Sequence, residues 1–329
     1  MDFLTNYGLF LVKLASLVIA ILIIFSAFFG LLSKTKSKTK EKLEITKLNK
    51  RYEEYQQTIT HTIKTKHELK NIKKLLKKEK KAESKGNIFV LNFHGDIRAS
   101  AITALREEIT AILTAANHEK DKVLVKLESP GGLVNAYGLA ASQLQRIKNA
   151  KIILVISVDK MAASGGYMMA CVADHIIAAP FAIIGSIGVV AQLPNFYRYL
   201  ERKDIDFEQI TAGQYKRTLS LFGKNTEEGR NKIREEVNET HALFKSFIKE
   251  HRHNLDIDLV ATGEHWFGVR ALDLKLVDAL TTSDDYLLEA SQKYNIYEIQ
   301  YKAKKHMGQR LLANVRNLYC KLTTRLFTV

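Results

Sequence analysis

Four short segments of the sequence combine hydroxyl, amine and glycine residues in a pattern that suits acyl-transfer chemistry. Each follows an apolar run, and together they cover residues 128–132, 159–167, 185–188 and 212–217. In the second segment, Ser164 would stand between a strand and a helix, where free N–H groups and the positive end of the helix dipole stabilise a developing oxyanion. Gly165, Gly131 and Gly132 carry no side chain that would keep a substrate carbonyl away from backbone donors. The pattern indicates attack of a serine hydroxyl on a carbonyl carbon.

A serine nucleophile needs a general base, and two residues are candidates. Among the ten histidines, His94 is the one that falls at an obvious turn after a strand, just before Gly95. Lys216 follows another apolar run, and a lysine amine can act as a base once burial removes its charge. The neighbouring Arg217 cannot, because a guanidinium group stays protonated. The residues alone leave the choice between His94 and Lys216 open.

The elements that must position these residues alternate between β-branched runs and helical stretches. Strands are predicted at 88–93, 123–127, 152–158, 175–178 and 207–211. Helices are predicted at 101–116, 135–147, 164–173 and 226–251. This alternation is typical of parallel strands covered by helices, and such apolar strands are expected to be buried on both faces. Functional groups of open α/β sheets gather at the carboxyl ends of the strands, so the four segments are expected to lie there.

The N-terminus predicts a retained transmembrane helix at residues 8–32, in contact with the lipid bilayer. Residues 14–32 form a run of 19 residues without a charge, which is about enough to cross ~30 Å of hydrocarbon. A cleaved secretory signal would need a positively charged start, and no basic residue precedes Lys13. Eight basic residues follow within about 20 positions of the span, and the positive-inside rule then places the C-terminal bulk in the cytoplasm.

The net charge of +15 is unevenly distributed and does not indicate a nucleic-acid groove. Residues 33–86 carry a net charge of +11 and residues 300–329 carry +7, whereas residues 87–299 carry −3. We therefore predict a basic stalk, helical or disordered, at 33–86, a catalytic domain at 87–299, a basic tail at 300–329 and no nucleic-acid partner. Cys171 and Cys320 can form neither a disulfide framework nor a zinc site, and Cys171 is expected in the core.

Taken together, four motifs resemble those of the signal peptide peptidase A family of serine peptidases. They are Ser129-Pro130-Gly131-Gly132, residues 162–167, residues 185–189 and residues 212–218. The resemblance covers residues 5–290 and implies a ClpP/crotonase-like spiral fold of repeated β-β-α units and a serine endopeptidase without metal or cofactor. It implies Ser164 as nucleophile, Lys216 as general base and Ser186 as the residue that positions the lysine amine. It also implies that the backbone N–H groups of Gly132 and Gly165 form the oxyanion hole.

The same resemblance implies a homo-oligomer in the bacterial cytoplasmic membrane, with each dyad completed across subunits. The implied substrates are small or apolar peptides, such as signal-peptide remnants, or membrane-associated proteins. Family members that act on such remnants work on the outer side of the membrane, whereas the charge asymmetry of this chain points inward. Two alternatives stay open: a catalytically silent membrane scaffold, and a crotonase-type acyl-CoA enzyme. The latter would need a pair of glutamates near the Gly131-Gly132 turn, where the sequence offers Glu128.

Overall fold

The computed structural model describes residues 2–34, 42–63 and 86–302, with side chains from residue 7 to 23 in the first range. Residues 43–302 form a compact body, and the first helix belongs to a separate unit. The helices are α1 (Asp2–Lys34), α2 (Leu48–Ile63), α3 (Ile102–Ala115), α4 (Val134–Asn149), α5 (Gly165–Ala170), α6 (Tyr197–Glu201), α7 (Glu227–His251), α8 (Ile257–Val260), α9 (Gly268–Asp273) and α10 (Ser283–Ala290). The strands are β1 (Lys42–Lys47), β2 (Asn87–His94), β3 (Lys122–Glu128), β4 (Ile153–Val158), β5 (Met161–Ala163), β6 (His175–Ala178), β7 (Ile183–Gly185), β8 (His265–Phe267), β9 (Ala279–Leu280) and β10 (Asn295–Lys302).

Helix α1 contains 33 residues and includes the whole apolar N-terminal run. Its side chains from residue 7 to 23 are all exposed. Across the residues that the structure describes, no helix combines the length and the hydropathy that a membrane crossing requires. The structure therefore does not confirm the span predicted at residues 8–32.

A seven-stranded sheet in the order β1-β10-β2-β3-β4-β6-β9 forms the centre of the body. Strands β10, β2, β3, β4, β6 and β9 pair in parallel. Val123 and Val125 of β3 pack with the core under α3, α4 and α5, whereas Leu124 packs on the opposite face with residues of α2 and α10. This alternation confirms the prediction of apolar strands buried on both faces of a parallel sheet.

A second, three-stranded sheet in the order β5-β7-β8 stands beside the carboxyl ends of the large sheet. Strand β5 follows β4 after two residues and leads directly into α5, so that β4, β5 and α5 make one β-β-α unit. A parallel bridge between Ser129 and Ala162 joins the end of β3 to β5. The small sheet thereby brings the segments that follow β3, β4 and β6 together.

The predicted stalk at 33–86 needs correction for residues 42–63, which belong to the sheet and its helical cover. Strand β1 lies next to β10, and Leu48 at the start of α2 is buried. The carboxamide of Asn49 donates to the carbonyl oxygens of Ser291 (3.1 Å) and Tyr294 (3.0 Å), and its oxygen accepts the amide of Ile296 (2.7 Å). Residues 64–85, the remainder of that prediction, lie outside the described residues.

Two other boundaries differ from the prediction. Residues 207–211 are irregular rather than a strand, and Ile210 is 96% exposed. Their alternation of apolar and polar residues finds no partner strand, so the local pattern alone was misleading. At the C-terminus, β10 continues to Lys302, three residues into the predicted tail. The rest of that tail, from 303 to 329 and including Cys320, lies outside the described residues.

Candidate active site

Ser164 lies at the junction of β5 and α5, as the sequence predicted. Its backbone has φ 52° and ψ −118°, a conformation that costs energy for a residue with a side chain. The surrounding structure holds it there: the Ser164 amide donates to the Gly185 carbonyl (2.8 Å), and the Ser164 carbonyl accepts the Met168 amide (3.0 Å). Such a strained turn presents a half-buried hydroxyl at the start of a helix.

Ser186 takes the corresponding position on the neighbouring strand. Strands β5 and β7 run parallel with Ala163 paired to Gly185, so Ser164 and Ser186 are the next residues along two adjacent strands. Ser186 also has φ 52°, and its amide donates to the Glu264 carbonyl (2.6 Å). The two serines therefore leave the small sheet side by side.

The glycine turn after β3 packs directly against Ser164. Gly131 has φ 85°, and a Cβ atom built on it would lie 2.8 Å from Ser164 Cβ and 2.8 Å from the Gly165 nitrogen. A Cβ atom on Gly165 would lie 2.4 Å from Cγ of Tyr137. Gly165 is the first residue of α5, so its N–H has no acceptor within the helix. Both predicted oxyanion residues, Gly132 and Gly165, lie with Ser164 in one pocket.

Apolar side chains, glycine backbone and the hydroxyl groups of Ser164 and Thr240 line the pocket beside Ser164. Its lining consists of Gly132, Val134, Ser164, Gly165, Met168, Gly188, Val189, Val190, Thr240 and Phe244. Sequence reasoning missed half of these residues, namely Val134, Met168, Val190, Thr240 and Phe244, because such side chains carry no chemical signature. The one available signal was position, since Val134 and Val190 each lie close behind a glycine turn already singled out. A pocket of this composition can hold a small, partly apolar group beside the Ser164 hydroxyl.

Lys216 lies in an exposed loop and is not part of the lining of this pocket. Its amide donates to the Gly213 carbonyl (3.1 Å). The loop is attached to the first turns of α7: Gln214 donates to Glu228 (3.1 Å), and the Lys232 ammonium lies 5.3 Å from the centre of the Tyr215 ring. Within one copy of the chain, the predicted nucleophile and the predicted base are thus not in the same pocket.

His94, the other candidate base, also lies outside the pocket lining. Its ring Nδ1 is 3.6 Å from the Glu128 carboxylate. The same carboxylate accepts hydrogen bonds from the Lys160 ammonium at 3.1 and 3.0 Å, so Glu128 is engaged in surface ion pairs. Cys171, in contrast, is fully buried in the core as predicted, and burial raises the pKa of its thiol.

An α/β body that presents a pocket at the carboxyl ends of its strands is typical of enzymes, and comparison identifies the family. The chain belongs to peptidase family S49, whose N-terminal model matches residues 2–144 and whose main model matches residues 146–297. This confirms the family expected from the four motifs. Membership supports a peptidase activity for the chain.

The similarity to curated relatives extends over nearly the whole chain. It is 48% identical to the probable protease SohB of Haemophilus influenzae, over 93% of this chain and 91% of that protein. It is also 48% identical to the probable protease SohB of Buchnera aphidicola from Acyrthosiphon pisum, over 99% of this chain and 98% of the relative. Among solved structures, the 1510-N membrane-bound stomatin-specific protease with a substrate peptide matches 72% of this chain and 99% of its own, at 14% identity and a TM-score of 0.42.

Proposed function

We propose that this chain is a membrane-anchored serine endopeptidase that cleaves peptide bonds through an acyl-enzyme on Ser164. The observation that carries the proposal is the strained turn at Ser164, which presents its hydroxyl in one pocket with Gly132 and Gly165. Family membership supports the peptidase class, and the β4-β5-α5 unit supports the ClpP/crotonase-like spiral fold.

The proposed reaction begins with attack of Ser164 Oγ on the scissile carbonyl carbon, while the hydroxyl proton passes to the uncharged amine of Lys216. The N–H groups of Gly132 and Gly165 stabilise the tetrahedral oxyanion. Collapse breaks the C–N bond, and the leaving amine takes the proton from the lysine, which leaves an ester on Ser164. Water then attacks the ester carbonyl carbon, and the Lys216 amine accepts the proton of the water. The lysine returns a proton to Ser164 Oγ as the ester bond breaks, which releases the acid product. Ser186 holds the amine in position.

We propose further that Lys216 reaches Ser164 of a neighbouring subunit. Two observations support this assembly: Lys216 is exposed in its own chain, and the segment from 189 to 222 exposes apolar residues that a neighbouring subunit could cover. Its exposed large apolar residues are Val190, Leu193, Phe196, Tyr199, Ile205, Phe207, Ile210, Tyr215, Leu221 and Phe222. Burial at such an interface would favour the uncharged amine that the reaction requires.

The anchor belongs to the proposal as well, because residues 14–32 carry no charge in the sequence. It would hold a bacterial peptidase at the cytoplasmic membrane, where signal-peptide remnants and membrane-associated proteins are available as substrates. Fractionation of cells that express the full chain tests this point. The peptidase should remain with the membranes after a carbonate wash, and its release into the supernatant would contradict the anchor.

Cleavage of a fluorogenic peptide by the full chain in detergent tests the dyad. Ser164→Ala and Lys216→Ala should each abolish turnover, whereas Lys224→Ala, a control at an exposed lysine of the same segment, should keep it. Wild-type turnover in either dyad variant would reject the assignment. Co-assembly of Ser164→Ala with Lys216→Ala subunits should restore part of the activity, because an intact serine then meets an intact lysine. A mixed assembly that stays inactive would contradict completion across subunits.

A further inference from the structure

Two fully buried hydroxyl groups lie behind the proposed oxyanion hole, and the mechanism above uses neither. Ser129 and Tyr137 are both inaccessible to solvent, and their hydroxyl oxygens are 2.6 Å apart. The Tyr137 hydroxyl donates to the Asp96 carbonyl at 2.8 Å. Ser129 Oγ accepts the amide of Gly131 at 3.1 Å. Four residues are therefore joined in a continuous hydrogen-bonded chain.

The direction of this chain follows from the number of protons. Burial raises the pKa of the Tyr137 hydroxyl, so the group stays protonated. It donates its single proton to the Asp96 carbonyl oxygen, which can only accept a hydrogen bond. The 2.6 Å bond must then be donated by Ser129, whose oxygen is free to accept from Gly131. The chain runs from the Gly131 N–H through Ser129 and Tyr137 to Asp96, and each hydroxyl is satisfied once as donor and once as acceptor.

The two residues whose N–H groups form the proposed oxyanion hole, Gly132 and Gly165, both lie against this hydrogen-bonded chain. It begins at the amide of Gly131, the residue that packs against Ser164 and precedes Gly132. The ring of Tyr137 occupies the space beside Gly165, where a Cβ atom would lie 2.4 Å from the ring. Gly95 closes the other side, since a Cβ atom there would lie 2.3 Å from Ser129 Oγ and 2.4 Å from the Tyr137 hydroxyl oxygen. This close packing holds the four hydrogen-bonded residues in the observed arrangement.

We propose that Ser129 and Tyr137 are positioning residues that set the Gly131-Gly132 turn at the distance from Gly165 that oxyanion stabilisation requires. This inference rests on the proposed function and adds to it the source of the pre-organisation. Loss of either hydroxyl leaves a buried donor or acceptor without a partner. The turn then relaxes towards other partners and moves the Gly132 amide. A displacement of about 1 Å in a catalytic group can cost roughly a hundredfold in rate.

Kinetics of the variants Tyr137→Phe and Ser129→Ala in the full chain test this role. Each should lower kcat by about ten- to a hundredfold, with KM changed by no more than about twofold, because the oxyanion forms only in the transition state. The double variant should fall no further than the lower single variant, since both hydroxyls act in one chain. The rate at which a serine-reactive acylating probe modifies Ser164 should fall by the same factor.

Two matched controls separate positioning from general stability. Tyr167 is equally buried, and its hydroxyl donates to the Leu276 carbonyl at 2.9 Å. Ser157 is a fully buried serine of β4 whose hydroxyl donates to Asp159 at 3.3 Å. Tyr167→Phe and Ser157→Ala should lower the unfolding midpoint without lowering kcat. The proposal is overturned if folded Tyr137→Phe and Ser129→Ala keep wild-type kcat, or if the controls lose as much kcat as they do.

Ser164→Ala, measured in parallel, separates the positioning role of Ser129 and Tyr137 from the catalytic role of Ser164. If it is inactive while Tyr137→Phe and Ser129→Ala turn over like the wild type, the positioning role alone fails. If Ser164→Ala itself cleaves the peptide at the wild-type rate, the proposed function fails and the positioning role fails with it. Should Tyr137→Phe not fold, Ser129→Ala decides, because it leaves the ring beside Gly165 in place.

Discussion

Replacement of Gly131 by alanine is the most direct test of how tightly the turn is held against Ser164. The backbone at this position has φ 85°, which only glycine adopts without strain. The added Cβ atom would meet the Ala163 carbonyl oxygen at 2.7 Å, and the Gly165 nitrogen and Ser164 Cβ at 2.8 Å each. Two of these three atoms belong to the backbone, so a rotamer change cannot relieve the contact.

The size of the effect follows from three contributions. A left-handed conformation costs an alanine about 1–2 kcal/mol, and overpacking of a tight site costs about 1–3 kcal/mol more. Alanine also restricts the unfolded chain more than glycine does, which stabilises the folded state by about 0.4–1 kcal/mol. The free energy of unfolding should therefore fall by about 1–5 kcal/mol. Because the clash pushes on Ser164 and Gly165 themselves, kcat should fall by about a hundredfold or more.

The same substitution at Gly138 is a matched control with the opposite expected sign. Gly138 lies within helix α4, and a Cβ atom built there meets nothing within 4 Å. Gly138→Ala should raise the free energy of unfolding by about 0.5–1 kcal/mol and leave kcat unchanged. Urea titration of the full chain in detergent, followed through the fluorescence of Trp266, the sole tryptophan, measures both variants. A Gly131→Ala protein as stable and as active as Gly138→Ala would refute the reasoning.

Three further substitutions test other contacts of the body. Gly229→Ala places a Cβ atom 2.2 Å from the Thr218 carbonyl oxygen, so it should displace the loop that carries the proposed base, cost about 1–3 kcal/mol and lower kcat. Asn49→Ala removes three hydrogen bonds that tie α2 to β10 and to the turn before it, and should cost about 1–3 kcal/mol in urea titrations. Burial alone would raise the pKa of Asp278, but the hydrogen bonds from Arg252 and the Ile176 amide, together with the charges of Arg252 and His175, outweigh burial and hold that pKa below its ordinary value. Its contribution to stability is present above pH 4 and is lost as the pH falls through the lowered value, so the wild type should lose stability in acid more steeply than Asp278→Asn.

Each of these expectations has a result that contradicts it. Unchanged turnover in Gly229→Ala would separate the loop from the reaction. An Asn49→Ala protein with the wild-type urea midpoint would show that α2 contributes nothing to the stability of the sheet. If the stability of Asp278→Asn and of the wild type fell in parallel between pH 5 and pH 2, the ion pair between Asp278 and Arg252 would not contribute to the loss of stability in acid.

The sequence predicted the centre of the fold and the position of Ser164 because both depend on local patterns. Apolar runs such as 123–127 are buried on both faces, so their composition directly reflects their place in a parallel sheet. The junction at Ser164 was recognisable because a strand pattern changes to a small-residue helix pattern at that residue. The glycine turn at Gly131 was recognisable for the same reason, since it follows a strand at once.

The missed features depend on partners that are distant in the sequence. Strand β1 carries charged residues and is largely exposed, and its neighbour β10 follows about 250 positions later. No local pattern reports such a partner, so residues 42–47 were assigned to a stalk. The strand predicted at 207–211 has a suitable alternation but no neighbour to pair with. Tyr137 was unremarkable on a helix until the structure placed its hydroxyl beside Ser129.

Covalent labelling measures the central claim most directly. The full chain in detergent is treated with a serine-reactive acylating probe, and the modified peptide is identified by mass spectrometry. The account predicts one acyl group per active site, attached to Ser164, with a loss of peptide cleavage that parallels the labelling. It also predicts no labelling in Ser164→Ala. Complete inactivation with the label on another residue, or undiminished cleavage by a protein fully labelled at Ser164, would contradict it.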